Sequence, residues 1–90
     1  MAELNFDALK SKLEENSSWP MVYMFKFIVP SDNHKIALIE SFFGEDAEIK
    51  LQPSSNGKYT SITAREVMLN ADMIVDVYKK AAVIEGIIAL

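Results

Sequence analysis

The chain contains one histidine, His34, and no cysteine, so the residue types that most often hold metals or attack substrates are scarce. As a metal ligand His34 needs companions, and Asp32 is the only nearby candidate, with no second His, Cys or Glu at ligand spacing. A first-turn surface histidine is the plainer reading. The serines Ser31, Ser41, Ser54, Ser55 and Ser61 have no base fixed near them by spacing, and no Gly-x-Ser-x-Gly elbow presents one. Carboxylates cluster at Glu45, Asp46 and Glu48 and again at Glu14-Glu15. Acid–base work wants such pairs in an apolar pocket, and these fall in or beside loops, where a solvated face accounts for them. The three glycines, Gly44, Gly57 and Gly86, are isolated, so no phosphate-cradling loop is written here. The expectation is a protein without catalytic residues, cofactor or bound metal.

Ninety residues suffice for one hydrophobic core, and a single domain over 1–90 is expected, with 1–18 as a helical extension and linker and 19–90 as the folded core. A net charge of −4 speaks against general nucleic-acid binding, which neutralises phosphates with a basic surface. The start, Met1-Ala2-Glu3-Leu4-Asn5-Phe6-Asp7, has neither a positive charge before an apolar run nor the run itself, and so does not read as a signal peptide. The apolar runs Met21 to Phe25 and Ala81 to Ile84 are too short to span a bilayer. A cytoplasmic protein is expected, without membrane contact.

The elements that would position any site are organised around Asn56-Gly57, the preferred pair for a two-residue type I′ hairpin turn. Such a turn places Leu51 opposite Ile62, Ile49 opposite Ala64 and Glu48 opposite Arg65, matching apolar with apolar on one face and acid with base on the other. Upstream, Phe6, Leu9 and Leu13 recur at helical spacing over Asn5–Glu15, with Asn5 as a possible cap. Met21 to Val29 reads as a strand whose even face, bearing Lys26, is the less buried. Its near-continuous apolar character predicts a central strand with cover on both faces. A helix from Ser31 or Asp32 to about Phe43 buries Ile36, Ile39 and Phe43, and Gly44 follows where a left-handed C-terminal residue belongs. Strands follow at Ala47–Gln52, with Ala47, Ile49 and Leu51 inward and Pro53 marking an edge, and at Tyr59–Val67. A helix over Met73–Ala82, capped by Asn70 or Asp72, buries Ile74, Val77, Tyr78 and Ala81 and pairs Asp76 with Lys80. Ile87 to Leu90 forms a last short strand.

After the N-terminal helix the order is βαββαβ. Two right-handed crossovers joined by a hairpin give a ferredoxin-like α+β sandwich: a four-stranded antiparallel sheet in order 4-1-3-2 with two helices on one face. The run Pro53-Ser54-Ser55-Asn56-Gly57-Lys58-Tyr59-Thr60-Ser61, behind an aromatic-rich first strand, resembles the Pro-Ser-Ser-x-Gly-x-Tyr signature of the YbeD-like family, small bacterial proteins of unknown function. The resemblance covers roughly Trp19 to Leu90 and implies an ACT-like fold, in agreement with the element order, but supplies no activity. ACT domains typically carry a glycine in the loop after the first strand, and Pro30-Ser31-Asp32-Asn33-His34 has none.

Two regions are candidates for function. The hairpin residues Ser54, Ser55, Asn56, Gly57, Lys58 and Tyr59 offer donors and one positive charge for an anion or a partner, or else simply serve the turn. The second follows from the topology: two helices on one face leave the other face bare, with Met24, Lys26, Ile28 and Arg65 as a candidate interaction surface. The N-terminal helix is expected to cover that face in part, and a partner, such as a second copy in a homodimer, the remainder. The leading expectation is a non-enzymatic regulatory or protein-interaction module. The alternative is an ACT-like sensor of an amino acid or other metabolite. RNA binding is the minor one, with Tyr23, Phe25 and Phe27 as stacking platforms, against the sign of the charge.

Overall fold

The computed structural model describes residues 5–90, so Met1 to Leu4, on which the reading of an acidic, leaderless start partly rests, lie outside the described residues. The elements are α1 (Phe6–Asn16), β1 (Met21–Pro30), α2 (Asn33–Glu40), β2 (Glu48–Pro53), β3 (Tyr59–Met68), α3 (Ala71–Ala82) and β4 (Ile88–Ala89). They form one antiparallel sheet in the order β2-β3-β1-β4, the expected 4-1-3-2 arrangement read from its other edge. This α+β architecture is compatible with a ferredoxin-like fold.

Each helix begins where a side chain can satisfy its free N–H groups. Asn5 accepts from the Ala8 N–H, Asp32 from those of His34 and Lys35, and Asn70 from that of Met73. The core lies between the sheet and α2 and α3. Phe25, Phe27 and Val29 from β1, Ile62 and Ala64 from β3, Ile39 from α2 and Ile74 from α3 are fully buried. Each large side chain among them contributes roughly 1.5–3 kcal/mol of transfer free energy. Val77, Tyr78 and Ala81 complete the predicted α3 stripe, and Asp76 meets Lys80 at 3.3 Å on its solvent side.

The hairpin register is the predicted one: Glu48 faces Arg65, Ile49 Ala64 and Leu51 Ile62. The turn is different. Gly57 has φ +73, but among the described residues no non-glycine residue, Asn56 included, has positive φ, so Asn56 is not in the type I′ conformation. The strands instead close at Ser54 and Tyr59 (N···O 2.7 Å), and the Gly57 N–H donates to the Ser54 carbonyl at 2.9 Å. Shortening each strand by one residue lengthens the loop from two to four residues without moving the register, which is why the pairing survives the change of turn.

Three further expectations are corrected, and a fourth, the pairing of Glu48 with Arg65, holds in register. Gly44 is not left-handed: α2 ends at Ser41 in right-handed conformation, and the Gly44 N–H instead approaches the Glu66 carboxylate at 2.8 Å. Leu51, expected inward, is 47% exposed, because it lies near the far end of an edge strand. Glu48 and Arg65 face each other as expected, without coming within ion-pair distance; the ion pairs among the described residues are Lys10–Asp72 and Lys80–Asp76. Finally, α1 does not cover the outer face of the sheet. It packs on α3, with Lys10 2.9 Å from Asp72 and the Lys79 ammonium 5.8 Å from the centre of the Phe6 ring. The reason lies in α3, which is apolar over a wider arc than a single sheet contact requires: Ala71, Ile74, Val75, Val77, Tyr78 and Ala81 are all buried.

Candidate functional site on the outer sheet face

Because side chains alternate along a strand, the registers that bury Phe25, Phe27 and Ile62 place their neighbours together on the opposite face. That face is ordered in rows. Val22 stands beside Val67; Met24 beside Arg65 and then Glu48; Lys26 beside Thr63 and then Lys50; Ile28 between Ile88 and Ser61, with Gln52 beyond. Val22, Met24 and Val67 are 57%, 55% and 52% exposed, and no described residue covers them. The predicted interaction residues Met24, Lys26, Ile28 and Arg65 therefore share one surface. Ile28 differs from the others in being half-buried. The expectation of cover on both faces of β1 fails here among the described residues: its outer face is apolar at one end yet bare.

The predicted hairpin meets this surface. Tyr59, Ser61 and Thr63 on β3 form the floor of an open depression of about 830 Å³, with Lys26 and Ile28 on one side, Lys50 and Gln52 on the other, and Ser54 and Ser55 at its end. The shape follows from the sequence: at Ser61 and Thr63 the middle strand carries short hydroxyl side chains where its two neighbours carry the longer Lys26, Ile28, Lys50 and Gln52. Within the hairpin, Asn56 and Ser54 serve the turn. The Asn56 side-chain carbonyl accepts from the Ser54 hydroxyl at 2.9 Å and from the Lys58 N–H at 3.0 Å, while the Ser54 hydroxyl accepts from the Tyr59 N–H at 3.1 Å. Ser55, Lys58 and Tyr59 remain exposed. Strand alternation in the sequence already turns Ser61, Thr63 and Lys50 to the bare face, but it does not show that they form the floor and far wall of a depression. The signal that finds them is the β1–β3 register combined with the hairpin register, since only together do these put Lys26 and Lys50 on either side of Thr63.

Other candidates fall elsewhere. Asp32 is engaged in capping α2, and His34 is an exposed residue of its first turn; among the described residues no group of three or more His, Cys, Asp or Glu is placed to hold a metal. The loop after β1 is also bound internally. The Ser31 N–H donates to the Lys58 carbonyl at 2.9 Å, and its hydroxyl lies 2.8 Å from that of Thr60. Tyr23, Phe25 and Phe27 all face the helices, with Phe25 stacked on Phe27 and tilted against Phe43 and Tyr78, so they offer no base-stacking platform. Inside that cluster the hydroxyls of Tyr23 and Tyr78 lie 3.1 Å apart. Burial, reinforced by the hydrogen bond, pushes the Tyr78 phenol above its ordinary range.

No helix among the described residues is long and apolar enough to cross a membrane. No curated protein and no solved structure matches this chain. Residues 14–90, which hold all four strands, α2, α3 and the end of α1, match the family described as "Protein of unknown function (DUF493)", and the chain belongs to that family.

Proposed function

We propose that this protein is a non-enzymatic regulatory module, YbeD-like and of ACT-like fold, that works in the cytoplasm by docking a protein partner on its outer sheet face. The observation that carries this reading is the apolar corner formed by Val22, Met24 and Val67, more than half exposed on two adjacent rows of a face that no described element covers. Contiguous apolar surface of this kind marks interaction sites. Arg65, beside Met24 and without a carboxylate within ion-pair distance among the described residues, gives the corner a charged rim suited to interfaces. A photo-crosslinking residue at position 24 should trap one defined partner, and Val67→Asp should abolish the adduct without lowering the melting temperature. The same probe at Lys80, on the outer side of α3, should trap none. Sedimentation tests a second copy as the partner: a dimer lost in Val67→Asp identifies it. Absence of an adduct together with a monomer at every concentration overturns the proposal.

A small-molecule sensor is the second reading, and the depression beside Lys26 is the observation that favours it.

A further inference from the structure

The outer face divides into two chemically different halves, and the half away from the apolar corner contains the depression. Lys26 and Lys50 occupy opposite walls, each paired in register with Thr63 between them. Two inter-strand spacings separate their Cα atoms, roughly 10 Å. Side chains from neighbouring antiparallel positions rise from the same face, so the two flexible stems can bring both ammonium groups over the Thr63 hydroxyl. No carboxylate is within ion-pair distance of either among the described residues. Among the described residues the strand rows of this face carry the cationic side chains Lys26, Lys50 and Arg65 against the acidic side chain of Glu48, in a chain whose net charge is −4. Charge of this sign gathered over a floor of hydroxyl donors suits an anion.

The donor set narrows its class. Arginine forks match planar carboxylates, whereas lysine acts as a compact point charge that suits a multi-oxygen anion. Cations approaching from two sides and hydroxyls from below fit the tetrahedral arrangement of phosphate oxygens. The depression is open to solvent, so a ligand there is held by the charged and hydroxyl side chains of its walls and floor and not by enclosure.

We infer that the depression between Lys26 and Lys50 is a binding site for a small phosphate ester, held by the two ammonium groups and by the hydroxyls of Thr63 and Ser61. This assignment rests on the sensor reading and is independent of partner docking at the apolar corner.

Amide and side-chain NMR titrations of the full chain at constant ionic strength test it, with inorganic phosphate, glycerol 3-phosphate, succinate and a panel of neutral amino acids as probes. Glycerol 3-phosphate should produce saturable shifts centred on Lys26, Lys50, Ser61 and Thr63, with inorganic phosphate weaker and succinate weaker still. Lys26→Gln and Lys50→Gln should each reduce affinity about five- to ten-fold, and Lys12→Gln on α1 should leave it unchanged. Melting curves of the variants should overlay that of the parent, since both lysines are exposed. Shifts that do not saturate, or that ignore the Lys26 and Lys50 substitutions, overturn the site. Succinate binding as tightly as glycerol 3-phosphate overturns the phosphate class. Saturable binding of a neutral amino acid alone overturns the phosphate assignment while sustaining the sensor. A phosphoserine peptide that binds where glycerol 3-phosphate does not transfers the site to protein recognition and overturns the small-molecule inference. Silence from every probe overturns both the assignment and the sensor reading.

Discussion

Strand β1 presents two surfaces on one backbone. Toward the helices, Phe25, Phe27 and Val29 have no solvent exposure and lie in a continuous aromatic and aliphatic core. Toward the outside, one residue along in each case, Met24 and Lys26 are exposed and Ile28 is half-buried. Hydropathy does not separate the two sides, since Met24 and Ile28 are as apolar as many core residues. What separates them is the supply of covering elements: α2 and α3 occupy one face, and α1 joins α3 instead of crossing to the other. An apolar side chain left bare in this way contributes little to folding, which frees it to serve recognition.

The largest effect expected from this difference is the contrast between adjacent positions. Phe25→Ala should destabilise by about 3–5 kcal/mol, the sum of lost transfer free energy and the cavity left behind. Met24→Ala should change stability by no more than about 0.5 kcal/mol. Urea unfolding of both variants measures this directly, and similar losses at the two positions would mean that the outer face is covered after all.

How much of this was legible from sequence depends on whether a feature is local or a matter of tertiary choice. Strand periodicity, the caps Asn5 and Asn70, the α3 stripe and the hairpin register are local or pairwise, and the residues Met24, Lys26, Ile28 and Arg65 fall on one face as their alternation requires. The destination of α1 was not legible: its stripe of Phe6, Leu9 and Leu13 states a need for burial without naming the surface. The depression escaped for a related reason, because it is created by three strands at once. The turn shows the finer limit. Asn-Gly correctly marked the hairpin and the positive φ of Gly57, but Ser54 and Asn56 side-chain hydrogen bonds favour a four-residue loop of the same register. Gly57→Ala should therefore cost about 1–2 kcal/mol through backbone conformation alone, since a Cβ there would meet nothing within 4 Å. A melting temperature unchanged by Gly57→Ala would show that the loop relaxes readily and that the strands alone hold the outer rows in register.

A smaller effect comes from the polar contact between Tyr23 and Tyr78 inside the aromatic core. Tyr78 is 6% exposed, and its folded-state phenol holds its proton more tightly than the ordinary value of 10.0, first through burial and then through the Tyr23 hydrogen bond. Above that value the unfolded chain releases a proton that the folded chain retains, so the unfolded state is favoured as pH rises. Stability should be insensitive to this group below about pH 10 and fall above it. Tyr78→Phe should remove that alkaline component while costing about 1 kcal/mol at neutral pH for the lost hydroxyl pair. Unfolding curves collected from pH 7 to 11 compare the two proteins. Parallel alkaline losses would place the sensitivity elsewhere.

The smallest effect bears most directly on whether the outer face is available to ligands. Glu48 and Arg65 are opposed in register on β2 and β3, the geometry in which a cross-strand ion pair can form, yet they are not within ion-pair distance and both are exposed. Water screens such charges, and ordering two long side chains offsets much of what attraction remains. A double-mutant cycle on Glu48→Ala and Arg65→Ala should give a coupling below about 0.5 kcal/mol, less again at high salt. The inward pair Phe27 and Ile62, also opposed in register but fully buried, should couple several times more strongly because each forms part of the other's packing surface. The ratio of the two couplings measures how different the faces of this sheet are. A Glu48–Arg65 coupling equal to that of Phe27–Ile62 would show the outer row to be tied together by its own charges. Arg65 would then be engaged within the fold and not free for a partner, and the apolar corner would lose the charged rim on which the docking proposal draws.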